Sequence, residues 1–491
     1  MNASFDLAQM GPAAPLFLVI VSGLVVLLFE AFAGGRQRNY LATVTMALLG
    51  AALILTAVVW KTFGTEQVIF SGMITIDKTS MLFDASFLLG GLLTALVAGP
   101  FMREHEFEFG EFYALLLFSV SGMMMMAESS DLLSLFIALE AMSLGVYVLT
   151  GSWRRSQKSS EAAMKYFLNG AFASGLMLYG IALIYGATGT TNYAALGEVL
   201  GKANGGPLLL VGMLLLLGGL AFKVAAVPFH QWAPDAYEGA PTPVTGFMST
   251  GVKAAAFAAL LRLFGGAFNR EYLSLQGAGW ANVISVLAVL TMTVGNLGAL
   301  RQENVKRMLA YSSISHAGYL LLGIVATALV GPEARGPVIF YLVAYTFTTI
   351  GAFAVVSWLG QKGDEKLRVD DWAGLASRHP AMALAMTLFL LSLGGIPPTA
   401  GFFGKFYVFR AALAKPGMVT LVVAAVLNSA VSVYYYLRLV TVMYFRELGA
   451  EPKPLRSSAL YAAVIIAAVG TLVFGLLPGA LSDLVAATAV K

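Results

Sequence analysis

Apolar runs of about twenty residues recur along almost the whole chain, and they limit the possible folds more than any other feature. A helix needs about 20 apolar residues to cross the hydrocarbon core of a bilayer, and such runs extend from positions 13–32 to positions 460–477. Of the 491 residues, 58% are hydrophobic and only 11% are charged, whereas soluble domains carry about 25% charged residues. The sequence therefore predicts an all-α polytopic membrane protein.

Polar breaks between the apolar runs divide the chain into fourteen predicted spans. These lie near 13–33, 40–60, 80–99, 111–128, 131–150, 161–186, 207–238, 241–266, 280–300, 306–328, 336–360, 380–412, 417–446 and 457–478. Alternate connecting segments collect most of the basic residues: Arg36, Arg38, Arg154, Arg155, Lys158, Arg301, Lys306, Arg307, Lys362, Lys366, Arg368, Arg378, Arg446, Lys453 and Arg456. The positive-inside rule assigns these segments to the cytoplasm. With an even number of spans, both termini are predicted on the outer face of a cell inner membrane.

Two of the long spans contain helix-breaking residues in their middle. The seventh span contains Pro228 and Pro234, and the twelfth contains Pro397 and Pro398 after a pair of glycines. Proline removes a backbone donor and clashes with the preceding turn, so each span is predicted to be a broken helix. Backbone groups freed at membrane depth are tolerated only where protein or water covers them. Each break is therefore a candidate ion pathway.

The two breaks occupy corresponding places in two units of five helices. Transporters often contain inverted repeats whose broken helices form the ion sites. We predict an N-terminal three-helix segment at 1–106, a first five-helix repeat at 107–270, a second at 271–447 and a C-terminal helix at 448–491, with each repeat forming a half-channel. This prediction rests on the pattern of breaks and lysines and not on residue identity between the units.

Several classes of site are excluded or disfavoured by the sequence. The chain contains no cysteine, which excludes iron–sulfur clusters, thiolate zinc sites and disulfides. Its four histidines are scattered, without the pairing expected of a haem-binding helix bundle, and no phosphate-binding GxxxxGK[ST] loop is present. The net charge of +4 reflects short basic loops between spans and not a nucleic-acid surface. We predict that the chain binds no cofactor, metal or nucleic acid.

Four charged residues lie well inside predicted spans, where a charge costs several kcal/mol and usually has a function. Glu140 is flanked by apolar residues on both sides, Lys223 precedes the first break, Lys253 lies in the next span and Lys405 follows the second break. Burial disfavours the charged form of a lysine, and a neighbouring carboxylate favours it. Moving or neutralising Glu140 would therefore let Lys223 release its proton, which makes this pair a candidate switch.

Other polar residues in the spans have competing interpretations. Lys165 follows Glu161 by four residues near a predicted cytoplasmic helix end, so an ion pair along the helix explains it as well as a proton path does. His316 either relays protons or packs between helices with a bond to a neighbouring serine. Arg438 is compatible with an interfacial position, and Asp84, near a span end, is expected at the membrane interface.

Several segments resemble a known family of membrane proteins. FKVAAVPFHQWAPDAYEGAPTPV at 222–244, followed by Lys253, resembles the antiporter-like subunits of respiratory complex I (NADH:quinone oxidoreductase) and of multisubunit cation/proton antiporters. EAAMKYFLNGAFASG at 161–175, YGATGTTN at 185–192 and NVKRMLAYSSISHAGY at 304–319 resemble subunit N of complex I. Lysine at position 405 also suits subunit N, because the M-type subunit usually has glutamate there. The resemblance covers about residues 110–440.

This resemblance implies a function and a set of partners. Glu140, Lys223, Lys253 and Lys405 match the central proton-path residues of the family, in that order. The chain would be a translocase subunit that carries protons while NADH, FMN, iron–sulfur clusters and quinone react in partner subunits. The implied partners are the M-type and L-type antiporter-like subunits and the small membrane subunits.

Two other functions stay open from the sequence. One is a subunit of a multisubunit Na⁺/H⁺ antiporter. The other is a single-chain transporter for a small organic solute, which the embedded lysines and the segments resembling subunit N argue against.

Overall fold

The fold is almost entirely helical. A computed structural model describes residues 10–32, 39–63, 65–202, 206–269, 279–362, 365–447 and 454–488; Arg36, Arg38 and Lys453, which contributed to the topology prediction, lie outside these ranges. Within them, thirteen helices are long and apolar enough to cross a membrane. The remaining predicted span, the twelfth, consists of two shorter helices in sequence. The predicted polytopic helical fold is confirmed.

The N-terminal segment contains three long helices and a small hairpin. The helices are α1 (Ala14–Phe32), α2 (Asn39–Thr62) and α3 (Lys78–Glu104). Between α2 and α3, strand β1 (Gln67–Ile69) pairs antiparallel with β2 (Ile74–Ile76). The hairpin was not predicted, because strands of three residues carry too little periodicity to be recognised in a sequence. Asp77 and Ser80 then form a capping box that starts α3.

Six helices make up the five spans of the first unit, because two of them are the halves of one broken span. They are α4 (Glu111–Glu128), α5 (Leu132–Thr150), α6 (Gln157–Thr188), α8 (Gly206–Lys223), α9 (Trp232–Gly239) and α10 (Thr242–Ala267), with the short helix α7 (Tyr193–Lys202) between α6 and α8. Helices α8 and α9 are the two halves of the first broken span. Helix α10 contains two π-helical turns, Met248–Val252 and Leu263–Ala267.

The second five-span unit repeats this order of elements. It comprises α11 (Trp280–Leu300), α12 (Val305–Leu329), α13 (Arg335–Leu359), the short α14 (Leu375–Arg378), the half-helices α15 (Pro380–Gly394) and α16 (Ala400–Leu413), and α17 (Val419–Phe445). Two further helices follow, α18 (Ser458–Leu476) and α19 (Pro478–Ala486). Helices α10 and α13 have the most buried apolar stretches, each 100% buried, whereas that of α17 is only 28% buried. The centre of the molecule is therefore built around α10 and α13.

Both predicted helix breaks are present, and side chains satisfy backbone groups at each. At the first break, the Trp232 indole donates to the Phe222 carbonyl (3.0 Å) and Val227 N–H donates to Thr291 Oγ1 (2.9 Å). At the second, Gly395 ends α15 with a φ of +79°, a conformation that glycine adopts without a steric penalty. Gly401 N–H donates to Ser392 Oγ at 3.0 Å. Protein groups thus cover the freed backbone, as the membrane requires.

The first two helices of each unit cross at a glycine. A methyl group on Gly122 of α4 would lie 2.5 Å from the Met142 backbone nitrogen on α5, and one on Gly295 of α11 would lie 2.6 Å from the Ser315 nitrogen on α12. The same number of residues separates the two members of each pair. This shared register supports the predicted repeat, whose boundaries and inverted relation remain predictions.

We predict that Gly122→Ala destabilises the protein by about 1–3 kcal/mol, because the added methyl group forces two helix backbones apart. The matched control is Gly175→Ala, since a methyl group at Gly175 meets no atom within 4 Å. Thermal unfolding of the detergent-solubilised protein measures the effect. Equal unfolding temperatures for the two variants would show that the α4–α5 crossing tolerates wider spacing.

Candidate functional site

Lys223, at the end of α8, points at one face of α5. Its ammonium group donates to Ser143 Oγ at 2.7 Å and to Tyr147 Oη at 2.9 Å, and it lies 4.9 Å from the centroid of the Tyr147 ring. Lys223 is only 1% exposed. A buried cation is therefore held by neutral hydroxyl groups, which both donate and accept hydrogen bonds.

Glu140 lies on α5 one helical turn before Ser143, and it does not form a direct ion pair with Lys223 within the described residues. Its Oε1 atom is buried and has no hydrogen-bond partner in the described structure. On the outer side of the same helix, Ile137 and Leu144 are 56% and 53% exposed. Glu140 thus stands between the buried lysine and the apolar lateral surface of the molecule.

Lys253, on α10, reaches across to α12. Its ammonium group donates to the Ser313 carbonyl at 2.6 Å and to Ser313 Oγ at 2.5 Å. The residue is 2% exposed, and its Nζ atom lies 6.0 Å from the centroid of the Tyr237 ring. Like Lys223, this lysine is bound by a serine hydroxyl on a neighbouring helix.

His316 follows Ser313 by one turn on α12. Its Nδ1 atom lies 2.6 Å from Tyr341 Oη of α13, and its Nε2 atom lies 3.2 Å from Tyr436 Oη of α17. Tyr436 Oη also bonds Ser312 Oγ. The alternative in which His316 bonds a neighbouring serine is not what the structure contains, because both ring nitrogens face tyrosines from other helices.

Lys405, on α16, is bound at the second helix break. Its ammonium group donates to the Gly394 carbonyl at the end of α15 (3.1 Å) and to Ser429 Oγ of α17 (2.9 Å). It also lies 5.0 Å from the centroid of the Tyr319 ring. Tyr319 follows His316 by three residues on α12, so one face of that helix connects the surroundings of Lys253 to those of Lys405.

A series of aromatic contacts, two edge-to-face and one stacked, connects the surroundings of Lys223 and Lys253. The Tyr147 and Tyr166 rings lie 4.7 Å apart, and Tyr166 stacks on Trp232 at 4.2 Å. Trp232 contacts Tyr237 at 6.1 Å, and Tyr237 lies beneath Lys253. Lys223, Lys253, His316 and Lys405 therefore form one row across both units, which we call the central row.

Lys165 lies outside the central row. It forms ion pairs with Glu161 (2.7 Å) and with Asp235 on α9 (2.8 Å), and its side chain is 44% exposed. Arg307 on α12 binds the same Asp235 at 2.7 Å and Glu238 at 3.1 Å. These pairs join α6, α9 and α12 at one end of the first broken span.

The sequence missed a further buried lysine, because Lys306 was assigned to a cytoplasmic loop. Lys306 instead lies in the first turn of α12 with no exposed side-chain area. It donates to the Ala240 carbonyl at 2.7 Å and pairs with Glu365 at 3.4 Å, while Thr242 Oγ1 donates to the same carboxylate at 2.6 Å. These partners are distant in sequence, so no local signal predicted them.

Two other expectations from the sequence can be compared with the structure. Asp84 lies near the start of α3 with a side chain that is only 2% exposed, so it packs against protein, and its expected position at the membrane interface stays a prediction. Arg438 donates to the carbonyls of Leu300 (3.2 Å) and Gln302, which close the end of α11. Arg438 therefore caps a helix terminus.

Comparisons with known proteins assign the family. Residues 129–432 match the family described as NADH:quinone oxidoreductase/Mrp antiporter, TM. NADH-quinone oxidoreductase subunit N 1 of Sorangium cellulosum is 48% identical over 485 residues, which cover 95% of each chain. The chain belongs to the subunit N family of NADH-quinone oxidoreductases.

Solved structures agree with membership of the subunit N family. A chain of respiratory complex I from Thermus thermophilus is 38% identical, with a TM-score of 0.81 over 96% of this chain and 98% of that chain. A chain of the Mrp complex from Dietzia sp. is 26% identical, with a TM-score of 0.84 over 97% of both chains. The subunit N family therefore shares its fold with antiporter complexes, while sequence identity is higher to the complex I chain.

The described part of this subunit N family member offers no obvious metal site. No group of three or more histidine, aspartate and glutamate side chains is placed to hold a metal ion among the residues that the structure describes. Lys223, Lys253 and Lys405 are single cations bound by hydroxyl and carbonyl oxygens. Such sites suit the exchange of protons.

We predict that Tyr147→Phe lowers the NADH:quinone oxidoreductase activity of membranes about tenfold, because a hydrogen bond to a charged group contributes about 1.5–3 kcal/mol. The change removes the hydroxyl at 2.9 Å from Lys223 and keeps the ring. Tyr179→Phe is the matched control, since Tyr179 is 60% exposed on α6. Full activity of Tyr147→Phe in assembled complex would show that this hydroxyl is dispensable.

Proposed function

We propose that this chain translocates protons across the membrane as a membrane-arm subunit of NADH:quinone oxidoreductase. One observation carries the proposal: Lys223, Lys253 and Lys405 are 1%, 2% and 4% exposed, and none of them forms an ion pair with a carboxylate among the described residues. Electron transfer from NADH to quinone takes place in partner subunits, and proton movement is the contribution of this chain to the translocase.

The chemistry of these lysines favours proton exchange over a structural role. A buried ammonium group without an anion loses solvation energy that hydrogen bonds to neutral oxygens only partly replace. Its neutral form is therefore accessible, and the serine hydroxyls at 2.7, 2.5 and 2.9 Å from the three Nζ atoms can pass protons because each donates and accepts.

Glu140 is the proposed control element of the central row. It lies one turn from Ser143, which binds Lys223, and it borders the exposed apolar face of α5. A neighbouring subunit packed on that face can change the surroundings of Glu140. When its negative charge is present, Lys223 is favoured as the ammonium form, and when the charge is moved or neutralised, Lys223 releases its proton.

The order of transfer follows the central row. We propose that protons pass between Lys223, Lys253 and Lys405, with His316 bridging the last two through Tyr341 and Tyr436. Lys165 belongs to the cytoplasmic entry of the proton path, where its ion pairs with Glu161 and Asp235 place a half-exposed positive charge beside α9. Each predicted five-helix repeat, 107–270 and 271–447, supplies one half-channel.

The proposed setting is that of the subunit N family. We propose that the chain lies in the cell inner membrane with both termini on the outer face, next to the M-type and L-type antiporter-like subunits and the small membrane subunits. NADH, FMN, iron–sulfur clusters and quinone are bound by partner subunits. The Thermus complex I structure supports this setting, because it contains a chain 38% identical over nearly the full length.

A subunit of a multisubunit Na⁺/H⁺ antiporter is the alternative function. The fold similarity to the Mrp complex favours it, with a TM-score of 0.84. Sequence favours the first proposal, because identity is 48% to the Sorangium subunit N and 26% to the Mrp chain. Proton uptake that required a sodium gradient and proceeded without NADH would support the alternative.

We predict that Glu140→Gln lowers both proton translocation and quinone-dependent NADH oxidation about tenfold or more, as expected when a group that controls proton transfer is lost. Inverted membrane vesicles from cells with a single copy of the gene provide both measurements. Glu198→Gln is the control, because Glu198 lies on the exposed side of α7. Wild-type pumping by an assembled Glu140→Gln complex would remove Glu140 from the mechanism.

A further inference from the structure

A buried amide joins α11, α12 and α17 beside the central row. Asn296 of α11 is 0% exposed, and an amide buried in a membrane-spanning helix needs partners for its donors and its acceptor. Its Nδ2 atom donates to Tyr319 Oη of α12 at 3.0 Å and to the Asn428 carbonyl of α17 at 2.9 Å. Its Oδ1 atom accepts from Tyr435 Oη of α17 at 3.0 Å. The proposed mechanism makes no use of this residue.

These partners fix the orientation of the amide. A main-chain carbonyl only accepts hydrogen bonds, so the nitrogen of Asn296 must face Asn428 and its oxygen must face Tyr435. The Tyr435 hydroxyl therefore donates to Asn296, and the Tyr319 hydroxyl accepts from it. Both donor positions and the acceptor of the amide are used, so Asn296 holds three groups on two helices in one arrangement.

Two of these groups lead to Lys405. The Tyr319 ring lies 5.0 Å from the Lys405 ammonium group, and Ser429, the residue after Asn428, accepts a hydrogen bond from that group at 2.9 Å. Asn296 therefore holds both the aromatic ring and the part of α17 that carries the hydroxyl. The remaining partner of Lys405, the carbonyl at the end of α15, comes from the helix break instead.

The third group leads to His316. The Tyr435 and Tyr436 rings lie 4.4 Å apart, and Tyr436 Oη lies 3.2 Å from His316 Nε2. Asn296 thus borders both ends of the proton transfer that we propose between His316 and Lys405.

Helix α17 needs polar contacts to fix its position. Only 28% of its apolar stretch is buried, and apolar surface gains little by leaving lipid for a neighbouring helix. Asn428 Nδ2 also donates to Thr293 Oγ1 of α11 at 3.2 Å. The bonds from Asn296 and Thr293 therefore join α11 to α17 next to Ser429.

An amide at this position is not a requirement of the helix pair itself. In the first unit Met123 follows the glycine at which α4 crosses α5, as Asn296 follows the glycine at which α11 crosses α12. The first pair thus packs with an apolar side chain there. The amide is specific to the unit that contains Lys405.

We propose that Asn296 is a positioning residue for Lys405. It places the Tyr319 ring and the Ser429 hydroxyl around the ammonium group, and it thereby favours the protonated form of the lysine. This inference rests on the proposed function for the proton transfer, whereas the hydrogen bonds of Asn296 to α12 and α17 follow from the structure.

The variant Asn296→Leu tests the proposal, because leucine keeps the branched shape of the side chain and forms no hydrogen bond. We expect quinone-dependent NADH oxidation and proton translocation to fall about tenfold in the assembled complex. We also expect activity to be lost at a pH about one unit lower on the alkaline side, since tenfold weaker proton binding corresponds to one pH unit. Asn169→Leu is the matched control, because the Asn169 amide is exposed and donates to a carbonyl of its own helix.

Tyr319→Phe is a milder variant, which keeps the ring and removes the hydroxyl that Asn296 binds. We expect a smaller loss of activity and a shift of the pH profile in the same direction, and this variant decides alone if Asn296→Leu does not assemble. Lower activity with an unchanged pH profile would make Asn296 structural and overturn the proposal. If Lys405→Ala abolishes pumping while assembled Asn296→Leu behaves like wild type, the positioning role is wrong and the proposed function stands. If assembled Lys405→Ala pumps like wild type, the proposed function fails and the positioning role fails with it.

Discussion

The cost of placing positive charge in a membrane protein without a compensating anion determines the rest of this structure. Lys223, Lys253 and Lys405 are buried, and their ammonium groups contact hydroxyl and carbonyl oxygens instead of carboxylates. Such an arrangement stabilises a cation only moderately compared with a paired anion. It is suited to groups that gain and lose protons, and it requires helices that bring oxygen atoms to each site.

The second break and two helix faces supply those oxygens. The second break exposes the Gly394 carbonyl to Lys405, and α5 and α12 present serine side chains to Lys223 and Lys253. Ser313 follows Gly295 by as many residues as Glu140 follows Gly122, the two glycines at which the paired helices cross. Ser313 therefore occupies in the second unit the position that Glu140 occupies in the first. The two units therefore use the same helix position differently. In the first unit it holds a carboxylate, Glu140, near Lys223, and in the second it holds a serine hydroxyl, Ser313, that binds Lys253.

The sequence predicted the ionisable residues of the central row better than their surroundings. A charge inside an apolar span is rare, so Glu140 and Lys223 stood out, and prolines marked both helix breaks. Serines and tyrosines are common in membrane helices, and whether Ser313 or Tyr436 faces a charged group depends on contacts between distant helices. The short hairpin and α7 carried too little pattern to be predicted.

The central claim is that Lys223 works by losing its proton, and replacement by arginine tests it most directly, because arginine keeps its charge in proteins. The measurement is quinone-dependent NADH oxidation together with proton uptake, in membranes whose only copy of this chain carries Lys223, Lys223→Ala or Lys223→Arg, with assembly checked in each. The account predicts that alanine abolishes both activities and that arginine does no better. Full oxidation and full pumping in both variants would contradict it and would make Lys223 structural.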